Sequence, residues 1–99
     1  MTLQTQLVLR AMLDSPTEQF YGFELTKETG LKAGTLYPML ARLEDAAWIE
    51  GFWEQIDPAE VRRPARRYYR LTGLGENEAR AALAEAVQRL MGPETATEL

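Results

Sequence analysis

The sequence contains no cysteine and no histidine. The first absence excludes disulfides and thiolate nucleophiles, and the second removes the imidazole that most often serves as a general base. A zinc site would have to be built from carboxylates alone, which is rare, so neither a metal nor a cofactor is expected. Long apolar runs are also missing. The longest are three or four residues, such as Leu7-Val8-Leu9 and Ala46-Ala47-Trp48-Ile49, whereas a membrane span needs about 20. No basic flank followed by an apolar stretch opens the chain, so no signal peptide is expected. These absences predict a soluble, cytoplasmic protein without a membrane partner. Adjacent carboxylates such as Glu44-Asp45 point apart on a helix and nothing supplies a nucleophile, which argues against an enzyme.

What is present is one domain's worth of chain: 99 residues, 45% hydrophobic and 26% charged. A chain this short buries only about 60–68% of the surface its unfolded form exposes, which favours stabilisation by a second copy. Eleven Lys and Arg against 15 Asp and Glu give a net charge of −4, a balance that taken whole argues against nucleic acid. Distribution matters more than the sum. The stretch from Arg62 to Arg70 holds Arg62, Arg63, Arg66, Arg67 and Arg70 and no acid; the remaining six cations and 15 acids sum to −9. An acidic molecule with one concentrated cationic patch is the expectation.

Apolar residues at helical spacing predict a first helix over Leu3–Asp14, with Thr2 as its N-cap. Leu9 and Leu13 broaden its apolar surface beyond one stripe. Ser15-Pro16-Thr17-Glu18 fits a capping box that opens a second helix between Pro16 and Tyr21 and ends it near Thr29. Gly30 then supplies the positive φ of a helix-turn-helix, with Leu25, Leu31, Leu36 and Met39 as the interhelical core. The third helix is expected over about 33–47, its regular part starting at Gly34 or Thr35 because the ring of Pro38 would press on the Gly34 carbonyl. Leu36, Met39, Leu40, Leu43 and Ala47 form its inward stripe. Residues 48–54 and 66–72 have strand character, and the span from Ile56 to Ala65, with two prolines, is a loop. The expected fold class is mainly α with a small β-hairpin (α+β): a winged helix-turn-helix over residues 1–73, a C-terminal dimerisation helix over 74–91, and a disordered tail over 92–99. Within that last helix, which starts at about Gly75, Ala79, Leu83, Ala86 and Leu90 alternate steps of four and three, and Gly92-Pro93 stops it.

The run Gly34-Thr35-Leu36-Tyr37-Pro38-Met39-Leu40-Ala41-Arg42-Leu43-Glu44 resembles the signature helix of the PadR family of bacterial transcriptional regulators. Tyr21-Gly22-Phe23-Glu24-Leu25 before it and Arg67-Tyr68-Tyr69-Arg70-Leu71-Thr72 after it match further stretches of that family, in the same order, over roughly residues 7–82. The resemblance implies a winged-helix homodimer that binds operator DNA, usually as a repressor and in some members released by a small ligand. Two departures stand out. Ala46-Ala47-Trp48 replaces the glycine often found at the exit of that helix, and the wing loop carries prolines where glycines are usual.

The expected DNA-binding residues are Tyr21, Lys32, Gly34, Thr35, Tyr37, Pro38, Arg42, Arg63, Arg66 and Arg67. A recognition helix presents its N-terminal turn to the major groove, and the planar guanidinium suits phosphate. Each has a plainer reading. Thr35 is equally well a helix cap, Arg42 a partner for a surface glutamate, and the wing arginines a solvated strand edge. Strand alternation puts Arg67 and Arg70 on opposite faces, so that one can pair with an acid. Tyr21 and Phe23 read first as packing residues, and Trp48, Phe52 and Trp53 as structural, with a cluster holding a flat ligand as the alternative. Leu3, Leu7, Leu83, Val87 and Leu90 are the expected dimer interface. The leading function is thus a homodimeric regulator, a repressor, reading a pseudo-palindrome in double-stranded DNA through helix 32–47 and the arginine wing. The alternative is a winged-helix module that binds protein and not DNA. The sequence assigns no effector.

Overall fold

The computed structural model describes the backbone of residues 1–97 and side chains as far as Met91. Helix α1 (Leu3–Leu13) opens where the Thr2 hydroxyl accepts the Thr5 N–H at 3.2 Å, satisfying one of the first turn's orphan donors. It buries Val8, Leu9 and Met12 and leaves Leu3 and Leu7 exposed. Ser15 to Glu18 does not start a helix. It forms a turn in which the Glu18 N–H donates to the Ser15 carbonyl, and the chain then extends as β1 (Phe20–Tyr21) before α2 (Gly22–Thr29) begins. The capping carboxylate is that of Glu24, which accepts the Tyr21 N–H at 3.1 Å. The reason is tertiary. Phe20 and Tyr21 pair with Tyr69 and Tyr68, which holds the backbone extended until Gly22.

Gly30 takes φ 74° at the end of α2, the turn that a side chain would strain. Helix α3 (Ala33–Asp45) starts directly after Lys32, whose carbonyl accepts from both Thr35 and Leu36. That pair of hydrogen bonds fixes the first turn and starts the helix ahead of the expected Gly34. Pro38 therefore lies in the second turn and deprives only the exposed Gly34 carbonyl of its partner. Ala47 does not join the inward stripe of Leu36, Met39, Leu40 and Leu43. It is exposed, with φ 62°, and closes α3 through bonds from Ala47 N–H to the Glu44 carbonyl and from Trp48 N–H to the Leu43 carbonyl, each 3.0 Å. This is a Schellman closure with alanine where glycine is usual.

Strands β2 (Ile49–Trp53) and β3 (Arg67–Leu71) form the hairpin, with β3 central in the order β1-β3-β2, all antiparallel. Ile49 faces Leu71 and Glu50 faces Arg70. The connection between the strands is not an irregular loop. It contains the single-turn helix α4 (Pro58–Val61), opened by the Asp57 carboxylate accepting the Ala59 N–H at 3.0 Å, with Pro58 at the first helical position, where its missing N–H costs nothing.

Thr72 ties the hairpin to the last helix. Its hydroxyl donates to the Ala47 carbonyl at 2.6 Å and accepts the Gly75 N–H at 2.9 Å. Helix α5 (Gly73–Thr97) consequently starts two residues before the expected Gly75. Gly75 sits in its first turn because a Cβ there would overlap the Trp48 carbonyl. The helix also continues past Gly92-Pro93 to Thr97. The remainder of the expected tail lies outside the described residues. One core joins the parts: Val8, Leu9 and Met12 from α1, Leu25 from α2, Leu36 and Leu40 from α3, Ile49, Tyr69 and Leu71 from the sheet, and Ala79 from α5.

Candidate nucleic-acid interface

From Thr29 to Leu43 the chain has two cations, Lys32 and Arg42, and no acid. Inward residues of α3 fill the core, and Lys32, Ala33, Gly34, Thr35, Tyr37, Pro38, Ala41 and Arg42 are exposed. Nothing lies within 4 Å of where a Cβ on Gly34 would stand, so the helix backbone is open to close approach there. Thr35 is not the cap, since that position belongs to Lys32. Among the described residues, neither Lys32 nor Arg42 has a carboxylate partner. The Tyr37 ring lies over Gly22, where any Cβ would collide with its hydroxyl. Its position joins the first turn of α3 to the first turn of α2.

The wing departs from the expectation. Three of its five arginines are paired with carboxylates. Arg63 holds Glu54 through two bonds, 2.6 and 3.0 Å, and Glu54 also accepts the Arg66 N–H at 3.2 Å. Arg67 bonds Glu44 at 3.1 Å, and Arg70 bonds Glu50. The concentrated cationic patch is thereby reduced. The acids that neutralise it are distant in sequence and arrive through strand pairing and the end of α3. Arg62 and Arg66 are exposed, without a carboxylate partner among the described residues. The Arg63 hydrogen bond holds the Glu54 carboxyl below its ordinary range, and the same bond raises Arg63. Burial pushes the Tyr69 phenol up, opposed by its hydrogen bond with Arg67.

Tyr21 is not a core residue but one ring of a row on the sheet's outer face. Phe23, Tyr21, Tyr68 and Phe52 follow one another at centroid spacings of 6.2, 5.8 and 6.0 Å. Lys27, Arg66 and Arg70 lie over Phe23, Tyr21 and Phe52. Such stacking restrains the cations. Phe23 is itself exposed. Trp48, Phe52 and Trp53 make no aromatic cluster: Trp48 packs on the core, Phe52 joins the outer row, and Trp53 is 58% exposed. The remaining apolar candidates converge elsewhere. Leu3, Leu7, Leu83, Val87 and Leu90 line one groove between α1 and α5.

A model of the transcriptional regulator PadR-like family matches residues 11–81. The chain belongs to that family. The family consists of transcription regulators, not enzymes. No curated protein sequence matches the chain. Among solved structures, smu.1704 from Streptococcus mutans UA159 superposes with TM-score 0.73 at 24% identity, covering 97% of this chain and 87% of the other. A PadR family transcriptional regulator from Eggerthella lenta DSM 2243 gives 0.62 at 25%, covering 92% and 87%. AbfR, a protein of Staphylococcus epidermidis, solved in its overoxidized form bound to DNA, gives 0.71 at 25%, covering 98% and 65%. Membership in this family fits a chain in which, among the described residues, no helix is long and apolar enough to cross a membrane.

Residue pattern alone left several functional side chains unseen. Glu44, Glu50 and Glu54 carry no sign in the sequence of the arginines they meet, and the hairpin register that sets Glu50 against Arg70 is the signal that finds one of them. Gly51 carried no local signal, and Gly22 only its place in the family-like stretch 21–25, because each owes its role to a side chain from another element.

Proposed function

We propose that the protein is a homodimeric repressor that binds a pseudo-palindromic operator in double-stranded DNA. The observation that carries this reading is the exposed N-terminal part of α3 with its cap, residues 32–42, which holds two cations and no acid in a molecule of net charge −4 and opens its backbone at Gly34. Lys32, Gly34, Thr35, Tyr37 and Pro38 would enter the major groove, and Arg42 would follow along the backbone, as the first turns of a recognition helix do. Tyr21, Arg62 and Arg66 would meet the flanking phosphates. Arg63 and Arg67, being paired, would shape the wing. Family membership supports regulation through DNA, and a relative solved on DNA shares the fold at 25% identity.

The dimer rests on a separate feature. Leu3 is 68% and Leu90 87% exposed, and with Leu7, Leu83 and Val87 they form one apolar groove, a surface that a second copy would cover. Selection of bound fragments from random duplexes with the purified protein tests the reading. Inverted repeats with half-site centres about 34–36 Å apart, or a multiple of that, are expected, together with a dimer mass by sedimentation. Enrichment of no duplex would favour the alternative of a protein-binding winged-helix module, and enrichment of single, unrepeated sites would remove the dimer.

A further inference from the structure

Arg67 is the most enclosed of the wing cations in kind, not only in degree. It sits directly opposite Trp53 in the strand register, and its guanidinium lies 5.2 Å from the Trp53 ring centroid and 6.0 Å from that of Tyr69. The side chain crosses β2 at Gly51, where a Cβ would stand 2.7 Å from Nη2. Its far end bonds Glu44 at 3.1 Å, in the last turn of α3. One planar cation thus spans from the wing strand, over the neighbouring strand, to the helix that carries the proposed recognition face. Gly51 supplies the passage, the two rings hold the plane, and Glu44 anchors the end.

We propose that Arg67 is a positioning residue that sets the wing against α3 through Glu44, and is not a phosphate contact. The inference rests on the DNA-binding reading above, and it makes two sharp distinctions. A phosphate contact would be helped by removing the carboxylate that competes for it; a strut would be broken by the same change. A lysine would still offer a phosphate its charge, whereas a strut held between two rings and a carboxylate needs the flat, forked group.

The experiment uses the full chain and the operator selected above, with Glu44→Gln, Arg67→Lys and Gly51→Ala compared with the wild type. The nearest atoms that Gly51→Ala meets all belong to the flexible tip of Arg67, so it displaces the guanidinium while sparing the fold. All three are expected to weaken operator binding about fivefold, with the slope of log affinity against log salt unchanged. Tighter binding by Glu44→Gln, wild-type affinity in Arg67→Lys, or, in a fourth variant, Arg67→Ala, a slope reduced by about one unit would each overturn the proposal. A second readout needs no DNA. In proton NMR spectra the Trp53 indole N–H signal should move in all three variants, with that of Trp48 fixed; an unmoved Trp53 signal overturns the strut. Failure of the wild type to bind any duplex would sink the functional reading instead, and the Trp53 signal would still decide the geometry.

Discussion

The exposed face of α3 and the wing make opposite use of charge. The stretch from Thr29 to Leu43 that carries the helix face has two cations over fifteen residues and, among the described residues, leaves both without a carboxylate partner; the wing has five arginines in nine residues and pairs three of them. Counted along the chain, the wing dominates. Counted at the surface, the difference nearly vanishes, because a partner strand and a helix end bring Glu44, Glu50 and Glu54 to the arginines. Density of charge in sequence is therefore a poor guide to surface potential wherever strands pair. A sparse stretch whose cations stay unpaired is the better platform.

The largest test of that contrast is Gly34→Leu. The position faces open space, so the melting temperature should hold. The added bulk should block backbone approach and weaken operator binding about 10–100-fold, read by fluorescence anisotropy. Binding that survives intact would move the interface away from α3. Next comes the double change Arg62→Ala and Arg66→Ala, which should lower the salt slope by about two units, one for each free arginine. Arg63→Ala alone should lower it by less than one, since its charge is already matched by Glu54. Equal slopes for the paired and unpaired arginines would erase the distinction between them.

The junction between the two regions offers a smaller effect. Ala47 holds φ 62° where α3 hands over to β2, so Ala47→Gly should raise stability in urea by about 1 kcal/mol. No gain would mean that the unfolded chain's added freedom offsets the relieved strain. Smallest is a pH effect at the wing. Glu54 has a folded-state pKa below its unfolded value, mainly through Arg63. Its contribution is present above the ordinary glutamate value of about 4.3 and fades as pH falls through the lower, folded value. Glu54→Gln should flatten that part of the acid decline of stability, measured by denaturant titration from neutral pH downwards.

Much of the fold was legible because its causes are local. The apolar spacing of α1 and α3, the cap at Thr2, the turn at Gly30 and the alternation of β3 are set by residues within a few positions of one another. The signature run on α3 likewise identified the family from contiguous residues. The misplaced elements have distant causes. Strand β1 exists because Tyr68 and Tyr69 pair with it from nearly fifty residues away, and that pairing puts the start of α2 at Gly22, beyond the expected span from Pro16 to Tyr21. The early start of α5 depends on Thr72 reaching the carbonyl of Ala47.

The sequence by itself determined that the four longer helices form, where the chain must turn left-handed at Gly30, and which stretch could present an open helix face, because backbone propensity and side-chain period act over a few residues. Only the tertiary structure decided which arginines remain unpaired, which glycines are needed for close approach, and how the wing leans on α3. Those outcomes are set by Coulomb and packing forces between groups that chain connectivity keeps far apart and folding brings within about 3 Å.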